Sequence, residues 1–487
     1  MIRSFFKDSF IYTLPMILTY GTNFFLLPLY TSVLTPTDYG AMEMLKTFES
    51  IALLIVCFEI SQAFAVYYSS EKDVEVRIKY ASTALWFTCF CYLVFLIICL
   101  IYSAEVSSVL FGSSGYIEEF KLGILYIVIS GLFHIVTMQL RFDLKSIKYA
   151  ISSLIAFFIT AICSVVFAYI YHAGFIGMIG GLLIGSFAGL MYALLQSRNC
   201  FKLEIDFKIL KNMLIFSIPL IPASATVFIN GYVDRIFINH YLSLEEVGLY
   251  GIGFKIAAIV SLMLIGFNRA LTPLIFRNHS VKETPAKINF LLKIFFSISL
   301  LFFLGLSIFS LDILKILTNS SYYPAHRIVI ILVPAILLSQ MYMFAPGLSL
   351  SKKTRILMWI AILSAVINAF LNMVLIPIFG YIGAAWATLL AQGIAFALQF
   401  KFSQKYYFIP VRWGEMIAPL ALVICMANIG LYANKFDEYF ISVLIFKIFL
   451  ISLLPLILIA TGLFKMQEVK DWLNEGFFIM KRIRGTS

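Results

Sequence analysis

Long apolar stretches alternate with short polar ones along almost the whole chain. Crossing a bilayer takes about 20 helical residues, and about fourteen stretches reach that length. They lack the roughly ten-residue alternation of a membrane β-barrel, so helices are the structure that satisfies their backbone hydrogen bonds in lipid. The predicted spans are 9–34, 38–69, 79–102, 121–141, 149–171, 174–196, 212–242, 245–276, 288–309, 326–350, 355–377, 380–401, 414–434 and 440–464.

Two short sequence patterns occur twice at similar offsets. Residues 33–40 (VLTPTDYG) recur about 208 residues later as 241–248 (YLSLEEVG), and 174–177 (GFIG) recur as 380–383 (GYIG). Duplication of this kind is how many transporters build a site between two halves. Each half would hold six helices, an even number, so both halves enter the membrane from the same side as parallel repeats.

This pattern predicts an all-α, polytopic membrane protein made of two parallel six-helix repeats. We expect a first six-helix lobe over residues 1–200, a second over 201–405, and two additional helices with a cytoplasmic tail over 406–487. The first apolar stretch is longer than a signal-peptide core and no small-residue cleavage site follows it, so we expect a retained helix.

Composition agrees with a membrane protein and gives it an orientation. The chain is 62% hydrophobic and 13% charged, and its mean hydropathy is +0.97. The net charge of +11 does not indicate nucleic acid, because the basic residues cluster in short loops on one side of the predicted spans. By the positive-inside rule, both termini are expected in the cytoplasm. The seven cysteines lie mostly in apolar spans without metal-ligand spacing, so neither a metal site nor a disulfide framework is expected.

A few cations fall inside the predicted spans, where charge is costly and usually faces a cavity or a partner. Lys46 and Lys255 hold nearly matching positions in the two repeats, roughly 12–14 Å below the outer surface at about 1.5 Å per residue. Arg235 lies at a similar depth, and Arg269 lies deeper. We predict that these four residues line an electropositive chamber that binds an anionic substrate. Two more cations, Lys293 and Lys447, lie near helix ends and are expected to reach the interface.

Pairing with carboxylates is the alternative role for these charges. Lys46 shares one helix face with Glu43 and Glu49, and Asp234 directly precedes Arg235. Membrane carboxylates can also bind and release protons, so Glu49, Glu59 and Asp234 are candidates for ion coupling. A fixed, structural salt bridge is an equally good role for each of these three carboxylates.

No enzyme motif stands out. The chain has no phosphate-binding loop with Lys-Ser/Thr, no HExxH and no credible Ser-His-Asp arrangement in a water-facing domain. A membrane glycan polymerase would be the enzymatic rival, but the large, charged outer loop expected of one is missing. We therefore expect neither catalysis nor a cofactor.

Several motifs together resemble a known family. They are Asp234-Arg235 on the seventh predicted helix, EVGLY at 246–250 opening the eighth, and IP at 376–377 followed by GYIGAA at 380–385. With the helix count and parallel repeats, they resemble the Wzx-type polysaccharide-biosynthesis flippases of the multidrug/oligosaccharidyl-lipid/polysaccharide exporter superfamily. The resemblance implies the flippase fold of that superfamily and covers almost the whole chain.

The resemblance also implies a substrate and partners. It implies alternating-access translocation of an undecaprenyl-diphosphate-linked oligosaccharide across the bacterial inner membrane, for O antigen or another surface polysaccharide. Lys46, Arg235, Lys255 and Arg269 would attract the diphosphate, while the tail stays in the membrane lipid. Polymerase and chain-length proteins of the same pathway would be partners. The alternatives are a cation-coupled multidrug exporter, for which more acidic lining is expected, and a lipid II flippase, for which more membrane arginines are expected.

Overall fold

The chain folds into helices connected by short turns. The computed structural model describes residues 26–435 and 440–463, and it assigns no strand within these ranges. Eleven helical segments of the described part are long and apolar enough to cross a membrane, and a bent pair of helices makes a twelfth. The prediction of an all-α polytopic membrane protein is therefore confirmed, while the count of about fourteen spans is not.

Two predicted spans account for the difference in number. Most of 9–34 lies outside the described residues, which begin at 26. The span predicted at 245–276 is divided into Leu244–Ala257 and Val260–Asn278, and neither part is among the eleven segments. The remaining predicted spans each correspond to one observed segment, if the bent pair is counted as one.

The helices are numbered here in chain order. The first eleven are α1 (Leu27–Val33), α2 (Pro36–Ile55), α3 (Ile60–Ser70), α4 (Val74–Ile101), α5 (Ser103–Phe111), α6 (Ile117–Phe142), α7 (Ser146–Ser164), α8 (Gly174–Ser197), α9 (Phe207–Ser217), α10 (Ile221–Tyr241) and α11 (Leu244–Ala257). Those that follow are α12 (Val260–Asn278), α13 (Thr284–Ile308), α14 (Ser310–Leu317), α15 (His326–Gln340), α16 (Gly347–Leu350), α17 (Thr354–Phe379), α18 (Tyr381–Gln404), α19 (Gly414–Ala433), α20 (Phe440–Ser452) and α21 (Leu454–Ala460).

The chain divides into two compact units. The first comprises the residues up to Ile252 together with Ile316–Pro324 and Ala361–Ala387, and the second comprises the rest. This division concerns packing, whereas the lobes predicted at 1–200, 201–405 and 406–487 concern the sequence repeat. Those lobe boundaries stay a prediction.

The GFIG and GYIG patterns have the same local geometry. Gly174 and Gly380 both adopt left-handed backbone conformations, with φ of 51° and 62°, which favour glycine. A Cβ atom on Gly177 would lie 2.8 Å from the backbone of Ala168, and one on Gly383 would lie 2.3 Å from the backbone of Leu375. In each repeat a left-handed glycine turns the chain, and a second glycine packs closely against the preceding helical segment.

The second unit pairs two cations that were expected to reach the membrane interface. The Lys293 ammonium lies 2.7 Å from a Glu415 carboxylate oxygen. Lys447, whose side chain is buried, pairs with Asp312. A carboxylate on another helix compensates each of these charges, and the position of the two lysines at the interface stays a prediction.

Candidate functional site

The repeated pattern at 33–40 contains the residues that cap the start of α2. The Thr35 hydroxyl accepts a hydrogen bond from the Asp38 amide at 3.2 Å, and the Asp38 carboxylate accepts one from the Thr35 amide at 3.3 Å. This reciprocal capping box satisfies amides that a helix start leaves unpaired. In the second copy, the Ser243 hydroxyl accepts from the Glu246 amide at 3.4 Å. The repeated pattern is therefore a helix-start signal that begins α2 and α11.

The two helices that follow these caps meet at equivalent glycines. A Cβ atom added to Gly40 would lie 1.8 Å from the carbonyl oxygen of Leu244, and one added to Gly248 would lie 2.0 Å from that of Pro36. Neither position has room for a side chain. The contact is reciprocal, as expected where two copies of one motif pack about an approximate two-fold axis.

Arg235 forms a buried ion pair close to this crossing. Its Nε donates to Glu43 Oε2 at 3.2 Å, and the two side chains are only 5% and 6% exposed. Its Nη1 also donates to the carbonyl oxygen of Gly231 at 2.9 Å. The guanidinium lies 5.5 Å from the ring centre of Tyr232 and 5.7 Å from that of Tyr250, within cation–π range. Glu43 on α2 and Arg235 on α10 thus join the two repeats electrostatically.

Asp234, the neighbour of Arg235, accepts hydrogen bonds from two neutral side chains. The Tyr250 hydroxyl donates to Asp234 Oδ2 at 2.5 Å, and Asn372 Nδ2 donates to Oδ1 at 2.8 Å. Asn372 also donates to the carbonyl oxygen of Asn368 at 3.0 Å. Tyr250 therefore contacts both adjacent charges, Asp234 through its hydroxyl and Arg235 through its ring. These bonds tie α10, α11 and α17 together.

Lys46, one turn beyond Glu43 on α2, lines a cavity inside the first unit. The cavity has a volume of about 260 Å³ and combines aromatic, aliphatic and hydroxyl-bearing side chains. Among its other lining residues are Tyr30, Met42, Phe133, Ser153, Phe157 and Thr160. A cation beside aromatic faces and hydroxyl groups is chemistry that suits a polar, anionic ligand.

Lys255 and Arg269 are the other two predicted cations. Lys255, near the end of α11, belongs to the second unit and is partly exposed. Arg269 lies in α12, but its side chain is outside the described residues. A chamber shared by Lys46, Arg235, Lys255 and Arg269 stays a prediction.

The remaining candidates for ion coupling lie on or just after α2. Glu49 accepts hydrogen bonds from the Tyr126 hydroxyl at 2.9 Å and from the Ser130 hydroxyl at 2.6 Å, both on α6. Glu59 lies at the break between α2 and α3, whose axes differ by 51°, and its φ of 54° is left-handed. It lines a small cavity of about 20 Å³ together with His134, which is room for about one water. Their roles in coupling stay predictions.

A polar cluster in the first unit centres on Asp143, which lies between α6 and α7. Its carboxylate accepts from Arg77 and Lys145, each at 2.7 Å, and from the Tyr68 hydroxyl at 2.6 Å. Burial alone would raise the pKa of Asp143, but the hydrogen bonds from Lys145 and Tyr68 and the two positive charges outweigh it. The pKa of Asp143 therefore lies below its ordinary value. The cluster links the end of α3 and the start of α4 to the turn between α6 and α7.

Several residues of the site were not predicted from the sequence. Tyr250, Asn368 and Asn372 are neutral, so no charge pattern connects them to Asp234. The two asparagines lie one helical turn apart within the otherwise apolar α17, and this spacing was the signal available for a polar contact. The Gly40–Gly248 crossing was also missed, although its glycines end the repeated patterns.

Comparison with known proteins identifies a family and a fold. A family model described as "Polysaccharide biosynthesis protein" matches residues 5–279, and a model described as "MatE" matches residues 219–374. Lsg locus putative protein 1 of Haemophilus influenzae is 25% identical over 282 residues, which cover 55% of this chain. The match spans 65% of that relative's length.

Solved structures share the fold. The lipid II flippase MurJ in an inward closed conformation superposes with a TM-score of 0.69 at 17% identity, covering 92% of this chain and 98% of its own. An inward-facing multidrug resistance MATE family transporter of the MOP superfamily has a TM-score of 0.64 at 13% identity, covering 82% of this chain and 97% of its own. The first is described as a flippase and the second as a transporter. The predicted resemblance to the polysaccharide-biosynthesis family is confirmed by the family model that matches residues 5–279.

Proposed function

The chain belongs to the polysaccharide biosynthesis protein family, and on that premise we propose that it is a Wzx-type flippase. Its substrate is an undecaprenyl-diphosphate-linked oligosaccharide, which it moves across the cytoplasmic membrane by alternating access for O antigen or another surface polysaccharide. The observation that carries this proposal is the family match over residues 5–279. The fold shared with MurJ and the MATE transporter supports it, because that fold serves both a lipid-linked substrate and a transport cycle.

In this proposal the membrane cations attract the diphosphate. Lys46 supports it most directly, since it lines a cavity that also offers aromatic faces and hydroxyl groups. Arg235 would exchange its bond to Glu43 for a phosphate oxygen, because a guanidinium binds carboxylate and phosphate with the same geometry. Lys255 and Arg269 would extend the path.

Ion coupling is assigned to the membrane carboxylates Glu49, Glu59 and Asp234. Glu59 is the one we favour, because it lies at a bend in the helix and beside a cavity of about the size of one water. Proteoliposomes with an imposed pH gradient test this: Glu59→Gln should abolish the acceleration that the gradient gives to flipping. If the variant responds as the wild type does, Glu59 is not the coupling group.

The proposal includes a location and partners. The protein lies in the bacterial inner membrane with both termini in the cytoplasm, and its two six-helix lobes comprise residues 1–200 and 201–405. Polymerase and chain-length proteins of the same pathway receive its product. The test of this orientation is a cysteine placed at Lys202 or at Lys315 after the native cysteines are replaced, labelled with a membrane-impermeant thiol reagent in intact cells and in inside-out vesicles. Labelling of position 202 from outside would reverse it.

A multidrug exporter is the second candidate, favoured by the MatE match over residues 219–374. A lipid II flippase is the third, favoured by the shared fold with MurJ. The three differ in what deletion of the gene causes. A Wzx-type flippase predicts loss of a surface glycan and build-up of its lipid-linked repeat unit on the cytoplasmic face. Sensitivity to toxic cations with a normal glycan would favour the exporter, and build-up of a peptidoglycan precursor would favour the lipid II flippase.

A further inference from the structure

An open pocket lies where α7 begins and α8 ends, at the end of the first unit that carries the Lys- and Arg-rich loops. Its volume is about 420 Å³, and it is lined by Lys148, Leu195, Gln196, Arg198 and Asn199. Lys148 is in the first turn of α7, and Leu195 and Gln196 are in the last turn of α8. Arg198 and Asn199 follow in a single 3-10 turn, Arg198–Cys200. The function proposed above uses none of these residues.

The pocket presents two cations that no carboxylate of the described residues pairs with. Over the described part of the chain, neither Lys148 nor Arg198 has an ion pair or a hydrogen-bond partner. The neighbouring cations differ, because Arg77 and Lys145 are both bound to Asp143. The lining residues include no carboxylate, and the amides of Gln196 and Asn199 add hydrogen-bond donors. Two cations with amide donors are chemistry that recognises a phosphate group.

Exposed apolar side chains border the pocket. Leu195, which lines it, is 67% exposed, and Ile147, the neighbour of Lys148 in the chain, is 55% exposed. Both helices are membrane spans, so exposed apolar side chains at their ends lie beside lipid acyl chains rather than in bulk water. A ligand that pairs with the cations and also contacts the apolar side chains needs a phosphate group attached to hydrocarbon chains.

We propose that this pocket binds the phosphate headgroup of an anionic phospholipid, with Lys148 and Arg198 on the phosphate and Leu195 and Ile147 against the acyl chains. Basic pockets at the ends of membrane helices bind such headgroups in other proteins. A soluble phosphate would satisfy the cations equally well but would leave the apolar side chains without a contact. The site uses none of the residues assigned above to the substrate path, so lipid binding there does not depend on which substrate is carried.

Native mass spectrometry of the detergent-purified full chain tests the proposal, with phosphatidylglycerol and phosphatidylethanolamine as probes. The wild type should retain phosphatidylglycerol in preference to phosphatidylethanolamine. The double variant Lys148→Ala/Arg198→Ala should lose affinity for phosphatidylglycerol by on the order of tenfold. The matched control Lys202→Ala/Lys208→Ala removes two exposed lysines from the adjoining segment and should bind as the wild type does. Equal loss in both double variants, or no preference between the lipids, would overturn the proposal.

A competition arm separates the lipid from a soluble ligand. Inorganic phosphate at millimolar concentration should leave bound phosphatidylglycerol in place, because it cannot use the apolar side chains. Displacement at that concentration would make the site one for soluble phosphate and overturn the lipid assignment. The double variant Lys148→Gln/Arg198→Gln controls for misfolding, because glutamine keeps a polar side chain of similar length at both positions. It should lose affinity for phosphatidylglycerol as the alanine variant does, with an unchanged unfolding temperature. Normal lipid binding by this variant would also overturn the proposal. Binding in detergent requires no transport, so failure of the flippase proposal would not affect this result.

Discussion

Gly40 and Gly248 hold equivalent positions in the two copies of one sequence pattern, and each lies against the backbone of the other copy's helix. The reciprocal contacts are to the carbonyl oxygens of Leu244 and Pro36. Because both neighbours are backbone atoms, they cannot move aside as a flexible side chain could. The sequence duplication is thus expressed as a close helix crossing, with the buried Arg235–Glu43 pair beside it.

Adding a single methyl group at this crossing should disrupt it. In Gly248→Ala, the new Cβ would overlap the carbonyl oxygen of Pro36, so α2 and α11 must separate, at a cost of about 1–3 kcal/mol. We expect lower membrane abundance or lower glycan export, measured by immunoblot and by surface-glycan staining. Gly305→Ala is the control, because a Cβ there would meet no atom closer than 4.0 Å. Wild-type abundance and export in Gly248→Ala would show that the close crossing is unimportant.

Reversing the Arg235–Glu43 pair separates a structural role from a role in transport. Glu43→Ala or Arg235→Ala alone leaves an uncompensated buried charge and should cost about 3–5 kcal/mol, seen as lost protein. The exchange Glu43→Arg with Arg235→Glu restores the pair and should restore abundance. If Arg235 contacts the diphosphate, export should remain low although the protein is present. Export at the wild-type level in the exchanged protein would make the pair purely structural.

The hydrogen bonds to Asp234 should contribute measurable stability. Tyr250→Phe removes the hydroxyl that donates to the buried carboxylate, and a hydrogen bond to a charged group is worth about 1.5–3 kcal/mol. We expect a lower unfolding temperature in detergent, followed by fluorescence-detected size-exclusion chromatography after heating. Tyr232→Phe is the matched control, since its ring stacks on Phe228 and no hydrogen bond of its hydroxyl is seen among the described residues. Equal unfolding temperatures for the two variants would count against the network.

Asp143 should make part of the stability depend on pH. Its pKa is lowered in the folded protein, so its contribution is present above the pKa of the unfolded chain and is lost as pH falls through the folded value. Asp143→Asn should therefore destabilise the protein at pH 7, by about 1 kcal/mol because its partners are partly exposed. The difference from the wild type should shrink below about pH 4. Glu204→Gln, at an exposed position, is the control, and a pH-independent difference for Asp143→Asn would contradict the assignment.

Helices and repeats could be predicted from sequence because lipid constrains them strongly. Each span must be long, apolar and helical, so apolar runs such as 79–102 map directly onto observed helices such as α4. The two patterns at 33–40 and 174–177 recur because helix caps and close glycine packing demand specific residue types. The span at 245–276 failed as a single helix, because two helices share that stretch and apolar composition alone does not mark the division.

Partners of buried charges could not be predicted in the same way. Glu43 lies one turn from Lys46 on α2, yet its observed ion-pair partner is Arg235 on α10. Lys447 and Asp312 are likewise far apart in sequence. Helical periodicity identifies neighbours on one helix, whereas contacts between helices depend on how the helices pack. The contacts of Asn372 and Tyr250 with Asp234 are therefore visible only in the folded structure.

The most direct test of the proposed function is flipping in proteoliposomes of the purified full chain. The substrate is an undecaprenyl-diphosphate-linked oligosaccharide from the native host, labelled in its sugar and placed in both leaflets. Its exposure to an added glycosidase reports movement between leaflets. We predict that the wild type exposes nearly all of the substrate, while Lys46→Ala with Arg235→Lys, present at equal amounts, exposes only the outer half. Exposure of only half by the wild type, in vesicles where MurJ moves lipid II, would contradict the assignment as a flippase of lipid-linked oligosaccharide.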